Sequence, residues 1–127
     1  MSAGEQNSKI FPKAPKELQS KLIDFVQQGY QKGLVKKGAN EVTKALNRGR
    51  AEVAILAADA EPIEILLHIP ILCEDKNVPY VFVSSKAALG RACGVSRDVI
   101  AVALLGDKGT FSNSIETVRD EIEKLLF

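Results

Sequence analysis

The sequence predicts an α/β fold: a single-domain three-layer α/β/α sandwich around a central mixed sheet of about four strands. Three observations predict it. Apolar runs of strand length, "AEVAILAADA", "VPYVFVSS" and "VIAVALL", alternate with segments of helical periodicity, the pattern of a sheet covered on both faces. These runs are apolar at successive positions, as expected of strands buried on both sides. At 127 residues the chain has the length of one domain with one sizeable core.

Residues 1–15 are polar with two prolines and are expected as an arm over the surface, outside the core; residues 16–127 form the domain. From Lys16, "KELQSKLIDFVQQGYQKG" places Leu18, Leu22, Phe25, Val26 and Tyr30 at helical spacing, with Gly33 as its stop. "LVKK" offers a short fourth strand, Lys37-Gly38 a turn, and "NEVTKALNR" a helix from about Asn40 to Arg48. Asn40 is its expected cap, Gly49 its breaker, and Val42, Ala45 and Leu46 its apolar face.

After the strand "AEVAILAADA", the segment "EPIEILLHIPILCED" places Pro62 in a first helical turn. Pro70 falls in mid-run, where its missing N–H and its ring kink or restart the helix. "VPYVFVSS" is rich in β-branched and aromatic residues and is the clearest strand. "KAALGRACG" is a short helix ending at Gly94, and "VIAVALL" is a further strand. "SNSIETVRDEIEKLLF" closes the chain as a helix capped by Ser112 or Ser114, with Ile115, Val118, Ile122, Leu125 and Leu126 as its apolar stripe. Strand order does not follow from this alternation.

Apolar residues at 46% and charged residues at 26% match ordinary globular usage. No run approaches membrane-spanning length and the N-terminus has no apolar signal core, so a cytosolic or nuclear protein with no membrane partner is expected. Cys73 and Cys93 are too few and too far apart for a metal site or a redox pair, and are expected as reduced core thiols. Net charge is only +1, yet it is segregated. Lys32, Lys36, Lys37, Lys44, Arg48 and Arg50 face only Glu41 between residues 31 and 50, and Lys86, Arg91 and Arg97 lie in a stretch without acid. Two basic segments on a near-neutral chain suit a polyanionic partner.

Enzymatic motifs are missing from the sequence: there is no GxSxG, no GxxxxGK[ST] and no GxGxxG. His68, the one histidine, sits in an apolar helix without a motif-supplied partner and is expected to be structural. The acids of "DAEP" and "EDKN" fall short of the convergent oxygen ligands a magnesium ion needs, so no cofactor or metal is expected.

The segment "GANEVTKALNRGR" is more informative. Glu41, Lys44 and Arg48, spaced by three and four, share one helix face, with Asn40 at the helix mouth and Gly38 lacking a Cβ that would hold a ligand away. Helix N-terminal N–H groups attract phosphate, while Asn, Lys and Glu together can donate to guanine O6 and N7 and accept from an amino group. On spacing alone, a solvated ladder of intrahelical ion pairs is the favoured alternative. In "GVSRDVIA", Gly94 permits a tight turn, Val95 and Ile100 offer apolar contact, and Arg97 can stack on a base or clamp a phosphate. With Phe and Tyr mostly at core positions there is no stacking platform, so a bound RNA would be recognised by its folded shape.

"KGANEVTKALNRG", "AADAEPIEILLHIPILCEDKNVPYVFV" and "ALGRACGVSR" closely resemble the L-seven-Ae family of kink-turn RNA-binding proteins, over a span from about Leu18 to the C-terminus. The match is to its branch serving box C/D small nucleolar RNPs and U4 small nuclear RNA. The resemblance implies an α/β/α sandwich that recognises kink-turns, RNA helices bent at an internal loop of tandem sheared G·A pairs. It implies that the helix bearing Gly38, Asn40, Glu41, Lys44 and Arg48 enters the RNA groove, with Asn40, Glu41 and Lys44 reading guanines. It assigns Glu61, Ile65, Lys86, Arg97 and Ile100 to a pocket for the extruded nucleotide, covered by a loop holding Val95 and Ser96. It further implies Nop-domain protein partners, a nuclear and nucleolar location, and a monomer when free.

The sequence departs from that family pattern at Asp98, where proline usually follows "VSR", and at Ser85, an often basic position. Loss of proline is expected to loosen the loop, and a carboxylate near phosphate to weaken binding modestly. Two other readings compete: a ribosomal or box H/ACA paralogue, and a small α/β enzyme built on Asp59, Glu61 and His68.

Overall fold

The computed structural model describes residues 12–107 and 109–125. Most of the expected arm, and Leu126 of the expected closing stripe, lie outside the described residues.

Helix α1 (Lys16–Gln31) buries Leu18, Leu22, Phe25 and Val26 as their spacing predicts, but Tyr30 is 40% exposed. Gly29 takes the core position instead, because a side chain there would meet Phe111 and Val35. Gly33, at φ +73°, reverses the chain, and the Leu34 N–H closes the helix end on the Gly29 carbonyl at 2.8 Å.

Strand β1 (Val35–Lys37) is the fourth strand suggested by "LVKK". Helix α2 (Ala39–Asn47) buries Val42, Ala45 and Leu46. Its cap is Gly38, not Asn40. At φ +95° Gly38 turns the chain straight from β1 into the helix and accepts the Val42 N–H at 3.0 Å, which leaves Asn40 exposed inside the first turn.

Strand β2 (Ala51–Ala57) is followed by a 3-10 turn (Ile63–Leu66) and helix α3 (His68–Lys76). Pro62 precedes the 3-10 turn in extended conformation and does not enter a helical turn. Pro70 is the third residue of α3, where an N–H has no intrahelical partner, so the helix restarts just before it. Strand β3 (Tyr80–Val83), helix α4 (Lys86–Ala92) and strand β4 (Ala101–Leu105) follow as read. Helix α5 (Thr110–Lys124) begins upstream of both serines expected to cap it, with Gly109 at the cap position.

The sheet order is β1-β4-β2-β3, with β2 parallel to β3 and β4 antiparallel to both its neighbours. Pleating divides the buried side chains between two cores. Val53, Ile55, Val81, Val83, Val102 and Leu104 pack against α1, α4 and α5. Leu56, Phe82, Ala101, Ala103 and Leu105 pack against α2, the 3-10 turn and α3. This is the three-layer sandwich, with Cys93 in the first core and Cys73 in the second, both free thiols.

The end of the expected arm departs from its surface role. The Ala14 N–H donates to the Phe82 carbonyl at 2.9 Å and the Phe82 N–H to the Pro12 carbonyl at 2.8 Å, so residues 12–14 extend the sheet along β3 and bury Ala14. The open edge of β3 offers unpaired backbone groups, and the arm satisfies them.

Candidate nucleic-acid interface

Strand directions decide where the site lies. Strands β1, β2 and β3 run one way and β4 the other, so the exits of the first three and the entrance of the fourth share one edge of the sheet. All the candidate residues but Arg48 belong to segments at or leading from that edge: 38–44 after β1, 61–65 after β2, Lys86 after β3, and 95–100 before β4; Arg48 ends α2 and is carried toward the opposite edge, where β2 enters at Ala51. Backbone hydrogen bonds join these segments. The Gly38 N–H donates to the Ala101 carbonyl at 2.8 Å, the Ala57 N–H to the Ile100 carbonyl at 2.9 Å, and the Ala58 N–H to the Val83 carbonyl at 2.8 Å.

On α2, Lys44 Nζ lies 3.4 Å from Glu41 Oε2, with the two side chains 58% and 49% exposed. The ion-pair reading of this face is therefore geometrically real. An exposed pair of this kind is worth roughly 0–1 kcal/mol, too little to prevent a ligand from engaging both groups. Asn40 and Arg48 are also exposed. On the opposite flank the Thr43 hydroxyl donates to the Ala39 carbonyl at 2.7 Å, and His68 Nε2 lies 2.9 Å from Thr43 Oγ1. Because the hydroxyl proton is committed to Ala39, the imidazole donates, and the exposed His68 links α3 to α2 through this contact.

The second group surrounds the start of α4. Glu61 is exposed and Ile65 is 45% exposed, while Lys86 and Ile100 are half-buried. Ser85 caps α4 through its hydroxyl, which accepts the Ala88 N–H at 3.0 Å, so the side chain in place of a basic one serves the helix itself. Val95 is half-buried, and Ser96 and Arg97 are exposed. The loop carrying them is pinned on both sides, by the Val95 N–H to the Gly90 carbonyl at 3.1 Å and the Val99 N–H to the Lys86 carbonyl at 3.1 Å. Gly94 turns at φ +69° with the Tyr30 ring against it, and Lys37 Nζ lies 5.6 Å from the centre of that ring.

Sequence reasoning missed three contributors. Gly90 lies so close under the loop that a methyl group there would overlap the Arg97 carbonyl oxygen. A glycine inside a short helix was the available signal. Asp59 accepts the Lys86 N–H at 2.9 Å, and Tyr30 leaves the core to buttress Gly94. Nothing in local spacing marks either role.

Burial pushes the Cys73 thiol up to about 12, with the Glu74 charge adding to it. Burial also raises Cys93, against a smaller opposing pull from the Lys37 charge. Among the described residues no group of three or more His, Cys, Asp or Glu side chains is placed to hold a metal ion, and no helix is long and apolar enough to cross a membrane.

Comparison with known proteins shows what the chain is similar to. Residues 21–110 match the profile of the ribosomal protein L7Ae/L30e/S12e/Gadd45 family. The chain is 58% identical over 121 residues to the small nuclear ribonucleoprotein associated homolog 13 of Caenorhabditis elegans, covering 94% of each chain. It is 60% identical over 121 residues to a 13 kDa ribonucleoprotein-associated protein of Candida albicans, covering 94% of this chain and 96% of that one. Among solved structures, the Giardia lamblia 15.5kD RNA binding protein superposes with a TM-score of 0.89 at 45% identity, over 92% of this chain and 97% of that one.

Proposed function

We propose, from the premise that the chain belongs to the ribosomal protein L7Ae/L30e/S12e/Gadd45 family, that it is a non-enzymatic RNA-binding scaffold for kink-turns. Its RNAs are U4 small nuclear RNA and the box C/D small nucleolar RNAs, and it nucleates assembly of the particles that carry out pre-mRNA splicing and rRNA processing with 2′-O-methylation. The observation that carries this reading is the convergence of the α2 mouth, the β2 exit, the start of α4 and the 95–100 loop on one sheet edge. The names of the relatives, which speak of ribonucleoprotein association, a small nuclear particle and RNA binding, support it.

In this proposal α2 enters the widened groove of the bent RNA. Free N–H groups of its first turn and the charges of Lys44 and Arg48 attract the backbone, while Asn40, Glu41 and Lys44 read guanine edges. Gly38 permits close approach of the RNA because its Cβ position is open space. Glu61, Ile65, Lys86, Arg97 and Ile100 receive the extruded nucleotide under Val95 and Ser96. A carboxylate such as Glu61 suits that pocket where it accepts from base N–H groups instead of facing phosphate. The monomeric protein and its RNA then present a joint surface to Nop-domain proteins in the nucleus and nucleolus.

Sequencing RNA crosslinked to the protein in cells tests the proposal. U4 and box C/D RNAs, crosslinked at their internal loops, are expected. Ribosomal or box H/ACA RNA would move the chain to a paralogous assembly, and messenger RNA or plain duplexes alone would overturn the kink-turn assignment.

A further inference from the structure

We propose that Asp59 is a positioning residue of the nucleotide pocket, a staple through which the exit of β2 holds the backbone of Lys86. This rests on the kink-turn reading of the site. Lys86 is the first residue of α4, and both of its backbone polar groups are engaged by other parts of the site. Its N–H donates to Asp59 Oδ1 at 2.9 Å, and its carbonyl accepts the Val99 N–H at 3.1 Å. One residue therefore joins three segments that are remote in sequence: 59–65, α4, and the loop that ends at Ile100.

The path continues through the sheet. Ala58, beside Asp59, donates its N–H to Val83 at 2.8 Å, and Ala57 donates to Ile100 at 2.9 Å. The Asp59 backbone is thus fixed by the strand ends, and its short side chain transmits that position to Lys86. A carboxylate is an effective acceptor at a helix N-terminus because it also faces the positive end of the peptide dipoles. This gives one of the exposed acids of the surface a structural role. Its charge repels phosphate over a distance comparable to the Debye length, so its electrostatic and positioning effects on RNA binding have opposite signs.

Those opposite signs make the role testable in the full-length protein with Asp59→Ala and Asp59→Asn. The probes are an intact kink-turn RNA and the same RNA made abasic at the extruded position. Asp59→Ala, which removes the acceptor, is expected to weaken binding of the intact RNA about five- to tenfold, the scale of losing one helix cap. It should not weaken binding of the abasic RNA, and should tighten it slightly at low salt, because the pocket no longer contributes there and only the lost repulsion remains. Asp59→Asn keeps an acceptor oxygen and is expected to restore binding of the intact RNA to the parent level or beyond. Equal weakening of both RNAs by Asp59→Ala would make Asp59 a general structural residue and overturn the inference. So would tighter binding of the intact RNA by both variants, which would make its charge the dominant effect. Failure of the unaltered protein to prefer the intact RNA over a plain duplex would instead defeat the underlying kink-turn reading.

Discussion

Replacing Gly90 by alanine sets two effects of opposite sign against each other. Gly90 lies within helix α4, where alanine is favoured over glycine by about 1 kcal/mol on intrinsic propensity. Its backbone φ is not positive, so no conformational strain opposes the change. The added methyl, however, would overlap the carbonyl oxygen of Arg97, and the next nearest atoms are the Arg97 carbonyl carbon and the Asp98 Cα. These are backbone atoms, so no rotamer change relieves the contact. Overpacking of this kind costs about 1–3 kcal/mol, and rigid backbone on one side puts it at the upper end. The net is a loss of about 2 kcal/mol, a fall in Tm of roughly 6–10 °C for a domain of this size. Relief requires the 95–98 loop to move off α4, which displaces Val95, Ser96 and Arg97 together. Kink-turn affinity should therefore fall by about tenfold, a binding effect much larger than any on plain duplex. Thermal melts and titration of a labelled kink-turn measure both. A Gly90→Ala protein as stable as the parent, with unchanged RNA affinity, would refute the reasoning, because it would mean the propensity gain had been realised without moving the loop.

Three further outcomes are expected. Leu46→Ala, at a side chain 1% exposed beneath α2, should cost about 2–5 kcal/mol in denaturant unfolding and weaken RNA binding only as far as it unfolds the helix. Cys73 holds its proton in the folded state up to about 12 against an ordinary value of 9.0, so its contribution to stability is fully present below pH 9.0 and is lost as pH rises toward 12. A thiol reagent at about pH 8 should leave it unmodified until the protein is unfolded. Asp98→Asn removes an exposed carboxylate from the 95–100 loop and, on the proposed function, should tighten RNA binding about two- to threefold at low salt, with the difference vanishing at high salt.

Much of this fold was legible in the sequence because the signals were local. Continuous apolar runs gave β2, β3 and β4 their two-sided burial, and the spacing of Val42, Ala45 and Leu46 gave the buried face of α2. Misreadings arose where tertiary context overrides local chemistry. Asn40 has a capping side chain, but the positive φ of Gly38 had already begun the helix two residues earlier. Tyr30 has the spacing of a core residue, yet the close approach of α1 to Phe111 and Val35 reserves the inner position for Gly29. Residues 12–14 are polar in company but pair with β3 because that edge is open. For the candidate site, residue types on α2 and in the 95–100 loop were visible, whereas their union at one edge depends on β4 running against its neighbours. The alternation of helices and strands does not encode that direction, and so Asp59 and Gly90 acquire their roles only in three dimensions.

The central claim, that the α2 face reads bases in a bent RNA, is tested most directly by comparing Glu41→Ala and Lys44→Ala proteins on a kink-turn and on a plain duplex of equal length. The Glu41–Lys44 pair is exposed, so neither change should alter stability by more than about 1 kcal/mol. Loss of guanine contacts should cost about 1–3 kcal/mol on the kink-turn, some 5- to 150-fold in affinity, with little change on duplex. Equal losses on both RNAs would contradict the account, because they would mean that this face supplies only attraction to phosphate.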